Sequence, residues 1–119
     1  MRSLKNIKLI IAGSRDFNDY FLMCKSIASL GFKVDEVVSG GARGADSLGE
    51  KWAFEHLVPV RYFPAHWEKE GRAAGINRNH KMGDYADYLI AFWDGKSPGT
   101  LDMITYMQQL GKPVKVIKF

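Results

Sequence analysis

The stretch "IKLIIAGSRDF", Ile7 to Phe17, decides how this chain is read: an apolar run stops at a glycine and three polar groups follow at once, Ser14, Arg15 and Asp16. The apolar part, Ile7 to Gly13, is rich in β-branched residues and reads as a buried strand. Ser14 to Asp16 then stand at its carboxyl end, directly before another apolar pattern begins.

Three further segments read as strands on the same grounds: "VDEVVSG" (34–40), "VRYF" (60–63) and "YLIAFW" (88–93). A fifth, "VKVIKF" (114–119), closes the chain, with Val114, Val116 and Phe119 or Ile117 as its alternating apolar positions. Helical spacing fills the intervals. In 18–30, Phe21, Cys24, Ile27 and Leu30 recur at helical steps and Gly31 supplies a stop. In 43–57, Ala45, Leu48, Trp52 and Ala53 mark one face, with Pro59 just beyond. In 100–110, Leu101, Ile104, Met107 and Leu110 do so, followed by Gly111 and Pro113; a less clearly patterned helix is expected in 73–86. Segment 64–75, "PAHWEKEGRAAG", is expected to be an irregular loop of the length that often forms functional lids.

Strand and helix alternate from end to end, which predicts an α/β fold: one Rossmann-like doubly wound domain spanning 1–119. Its five-stranded, mostly parallel sheet has helices on both faces. The expected strand order is 3-2-1-4-5. Ligands of such sheets bind outside the carboxyl ends of the strands, where the order reverses.

The residues at those ends suit an anion. Gly13, Ser14 and Arg15 follow the first strand. "SGGARGAD" (39–46) follows the second and offers Gly40, Gly41, Ala42, Arg43 and Gly44 as a glycine-rich phosphate loop before a helix. "DGKSPGT" (94–100) follows the fourth, with Gly95, Ser97, Gly99 and Thr100 as candidate contacts; Ser97 or Thr100 also suits a helix N-cap. Its "GKS" is not a Walker A motif, because the glycine required five residues earlier is Ile90. Nor does 39–46 have the spacing of a dinucleotide fingerprint. Arg78 and Asn79, within "GRAAGINRNHKM" (71–82), are expected at a helix end facing the cleft, and Trp67 is a candidate stacking or packing residue. Asp16, Asp46 and Asp94 are the carboxylates at the same strand ends, and thus the catalytic candidates if the chain is an enzyme. Asp46 also suits a helix cap, and Asp16 a structural pair with Arg15.

Composition narrows the classes. The chain has 119 residues, 46% hydrophobic and 25% charged, ordinary values for a globular domain. One cysteine, Cys24, excludes an internal disulfide and a cysteine-based zinc site, and its apolar flanks read as packing. His56, His66 and His80 show no metal-ligand spacing, so neither metal nor cofactor is expected. No run approaches a membrane span, and a cytoplasmic location is the default expectation. Net charge is +4, from 17 basic and 13 acidic residues. That balance favours anionic partners, but the basic residues are scattered, so nucleic acid is an unlikely partner. Phe54 and Tyr106 are expected to be exposed and to mark a possible homo-oligomer face.

"GSRDF", "SGGARGADSLGEKWA", "PAHWEKEGRAAGINRN" with the following methionine, and "WDGKSPGT" together resemble the YspA-like family of the SLOG superfamily, in matching order over nearly the whole chain. The resemblance implies a Rossmann-like fold and a nucleotide or nucleotide-derived ligand of AMP, ADP-ribose or nucleotide-sugar type, held as a signal by a sensor. It also implies two alternatives: an N-glycosidase of the LOG phosphoribohydrolase kind and a nucleic-acid binder like DprA. LOG-type enzymes use an arginine in R-K-x-x-M and a glutamate in P-G-G-x-G-T-x-x-E. Arg78 to Met82 matches the first motif with Asn79 in place of lysine. At the second, Gly99 and Thr100 match, but the glutamate position is Met103. Asp102 is one residue early, about 100° around a helix, and is expected to point elsewhere.

Overall fold

In the computed structural model, residues 7–119 are described. They form one five-stranded sheet in the order β3-β2-β1-β4-β5. The strands are β1 (Ile7–Gly13), β2 (Val34–Ser39), β3 (Val60–Tyr62), β4 (Tyr88–Trp93) and β5 (Val114–Lys118). Every pairing is parallel, so the sheet is wholly rather than mostly parallel. The helices are α1 (Tyr20–Ala28), α2 (Ala45–Glu55), α3 (Trp67–Glu70), α4 (Ala74–Tyr85) and α5 (Pro98–Gln109).

β1 is central and buried on both sides, as its unbroken apolar run requires. Leu9 and Ile11 face one layer and join Met23 and Ile27 of α1 and Trp52 and Ala53 of α2. Ile10 and Ala12 face the other and meet Met82 of α4 and Met103, Ile104 and Met107 of α5. Alternate side chains of one strand thus serve two cores. Each fully buried Leu, Ile, Met or Phe contributes about 1.5–3 kcal/mol relative to exposure. Cys24 is half-buried at the margin of the first core.

Local chemistry ends the helices. Asp19 caps α1, its Oδ1 accepting from the Leu22 amide at 3.0 Å. Pro98 opens α5, where its missing N–H costs nothing. At the carboxyl end of α4 the Lys112 ammonium donates to the carbonyls of Gly83 (2.8 Å), Asp84 (3.1 Å) and Ala86 (2.8 Å). A cation there complements the negative end of the helix dipole.

Segment 64–75 corrects the expectation of a loop. It contains α3, a 3₁₀ turn over Gly71–Ala73 and the start of α4. Tyr106 also departs from its expected exposure: its ring stacks on His80 at 3.9 Å and its hydroxyl donates to Asp84 at 2.7 Å. Phe54 is exposed, at 81%. Among the described residues no helix is long and apolar enough to cross a membrane.

Candidate functional site

The reversal of strand order falls between β1 and β4, and their carboxyl ends open into a cavity of about 690 Å³. A second hollow of about 360 Å³ adjoins it and shares Arg15, Arg43 and Arg78 with it. Of the candidates, Gly13, Ser14, Arg15, Asp16, Ala42, Arg43, Asp46, Arg78, Asn79, Asp94, Ser97, Gly99 and Thr100 all line the larger cavity. Gly40 and Gly41 line the smaller. Gly44 and Gly95 line neither; Gly95 faces the Lys118 side chain.

The loop between β2 and α2 is shaped by close contacts. Gly44 has φ +74°, and a Cβ there would lie 2.4 Å from the carbonyl oxygens of Ser14 and Arg15. Only glycine allows both that backbone and that approach. A Cβ on Gly40 would lie 2.5 Å from the Arg78 guanidinium, whose Nη1 donates to the Gly40 carbonyl at 2.7 Å. The loop and α4 are therefore fitted to each other. Arg78 is held from behind as well: its Nε donates to Asn79 Oδ1 at 3.2 Å, while Asn79 Nδ2 donates to Gly99 O at 3.1 Å and to Asp102 Oδ2 at 3.2 Å. Arg78 and Asn79 lie in the body of α4 rather than at its end. Asp102 is turned to α4 and lies outside the cavity wall.

The three carboxylates have different situations. Asp94 accepts from the Lys96 and Ser97 amides at 2.8 Å each and from the Ser97 hydroxyl at 3.1 Å. These bonds, the Lys96 amide foremost, lower its carboxyl to about 2. It is an ionised anchor for the turn into α5. Ser14 Oγ accepts from the Asp94 amide at 3.2 Å and lies 3.1 Å from Ser97 Oγ. The two serine hydroxyls thus join the ends of β1 and β4. Asp46 is 6% exposed; burial pushes its carboxyl up to about 6, against the Ala42 amide it accepts from at 3.2 Å and the nearby Arg78 charge. Asp16 is exposed at the rim.

Arg15, Arg43, Arg72 and Arg78 all border the cavity. Among the described residues no arginine lies within ion-pairing distance of a carboxylate. The inner wall is apolar, with Ala12, Met82 and Met103, the last 1% exposed at the position where LOG-type enzymes carry glutamate. Among the described residues no cluster of three or more His, Cys, Asp or Glu could hold a metal. The sequence reading did not single out Met82, Pro98 or Tyr62 as wall residues. Tyr62 ends β3, and the carboxyl-end rule applied to that strand as well finds it.

Fold and cleft define a parallel α/β protein with an arginine-lined site at the topological switch point. The chain belongs to the YspA, cpYpsA-related SLOG family, whose model matches residues 7–69. That match takes in β1 to β3, the glycine-rich loop and Trp67. Similarity extends further in the Gene 61 protein of Mycobacterium phage D29, which is 34% identical over 116 residues, covering 90% of this chain and 93% of that protein. No solved structure matches.

Proposed function

We propose that this protein binds a nucleotide or nucleotide-derived ligand of AMP, ADP-ribose or nucleotide-sugar type in the cleft between β1 and β4, in the manner of a sensor. The observation that carries this reading is the convergence of Arg15, Arg43, Arg72 and Arg78 on one cavity without ion-paired carboxylates. Guanidinium groups not tied up in ion pairs match phosphate oxygens in bidentate geometry. The apolar inner wall suits a base or the carbon face of a ribose. Met103 at the glutamate position, and Asp94 committed to holding its own turn, favour retention of the ligand over cleavage.

Isothermal calorimetry with AMP, ADP-ribose, cyclic nucleotides and nucleotide sugars tests the reading. At least one is expected to bind, and Arg78→Ala is expected to weaken it about tenfold or more, since a charge-assisted hydrogen bond is worth about 1.5–3 kcal/mol. Silence across the panel at millimolar ligand overturns it. Chromatography of the same mixtures is expected to show no released base. Base release abolished by Asp46→Asn would establish the hydrolase alternative instead.

A further inference from the structure

The site is divided, and the division carries chemical information. Arg15, Arg43 and Arg78 border both hollows, so the cations stand on the partition between them. On one side lies the larger hollow, with the apolar wall of Met82 and Met103. On the other lies the smaller one, walled by Gly41, Ala65 and Tyr62, a residue 56% exposed. Trp67 reaches both.

A nucleoside monophosphate carries its charge at one end. It would fill one hollow, place its phosphate on the partition and leave the second empty. A ligand with its charge in the middle and a neutral body on either side uses both. We infer that the cleft is built for a nucleoside diphosphate esterified to a second sugar, with the diphosphate across Arg15, Arg43 and Arg78, the nucleoside in the larger hollow and the second sugar against Tyr62. The inference rests on the nucleotide reading above and narrows it. An aromatic face with a polar edge suits a sugar ring, which offers C–H groups on one side and hydroxyls at its rim.

The test compares matched pairs by calorimetry: AMP with ADP-ribose, and UMP with UDP-glucose. In at least one pair the two-sugar member is expected to bind at least tenfold more tightly. Tyr62→Ala is expected to cut that ratio severalfold, whereas Tyr62→Phe, which keeps the ring, preserves it. Ligand-free unfolding midpoints confirm that each variant is folded, and Tyr62→Leu replaces the alanine variant if that one is not. Equal affinities within both pairs overturn the inference and leave the broader nucleotide reading standing. A tighter two-sugar ligand whose advantage survives loss of the Tyr62 ring also overturns it, because the second hollow would then not be the second sugar's place. Absence of binding by all four ligands overturns the inference, and silence of the cyclic nucleotides and other nucleotide sugars as well overturns both readings.

Discussion

Asp46 is a carboxyl group on the cavity wall whose burial is unfavourable to the fold. Its carboxyl is raised to about 6 by burial, so the folded protein holds that proton more tightly than the unfolded chain does. Stability from this group therefore falls as pH rises from about 4 to about 6 and stays low above that; a shift of about two units amounts to about 2–3 kcal/mol. Asp46→Asn, which keeps an oxygen for the Ala42 amide, is expected to be more stable than the parent by about that amount at pH 7.5 and equal to it near pH 3.5. Urea unfolding at the two pH values checks this; a gap that does not change with pH would refute it. Residue roles were partly legible in advance. Polar residues at strand ends announce themselves by type, as Ser14 and Arg15 do after β1. Met103 does not, because a methionine on a helix face looks the same whether it packs on a sheet or walls a ligand cavity.

The elements were mostly legible, because long periodic segments declare themselves and their ends fall within two residues of the sequence reading. α3 was missed for a physical reason. Four residues make barely one turn, too short for a repeating apolar face, and Trp67–Glu70 has no fully buried side chain. The close of α4 was equally hidden, since its cap comes from Lys112, which lies beyond β4 and α5 in the chain. Lys112→Met keeps the aliphatic stem and removes three hydrogen bonds to backbone carbonyls. It is expected to cost about 1–3 kcal/mol. Lys115→Met on the exposed face of β5 is expected to stay within about 0.5 kcal/mol of the parent. Denaturant midpoints of the two variants make the comparison, and equal values would show that the cap contributes nothing.

At the scale of the whole molecule the strand order was readable from the alternation of elements and the handedness of their connections. What was not readable was how the loops divide the space above the sheet, since that depends on side chains from β2, β3, α3 and α4 meeting at one place. The net charge of +4 and the arginine rim act over distance. Affinity for AMP is expected to fall severalfold between about 0.1 M and 1 M salt, as the screening length contracts from about 10 Å to about 3 Å. Titration at both salt levels checks it, and an unchanged constant would show that the guanidinium charges do not hold the ligand. The pair of serine hydroxyls joining β1 to β4 has a different consequence. Ser14 and Ser97 are 83 positions apart. A ribosome adding roughly 5–20 residues per second delivers the second several seconds after the first. For most of that interval β1, the strand on which the whole sheet is centred, has no α4 over Ile10 and Ala12 and no β4 beside it, and α5 comes later still. The earliest-made strand is completed among the last, so during synthesis this protein passes through a stage in which its future interior is the surface a chaperone would meet.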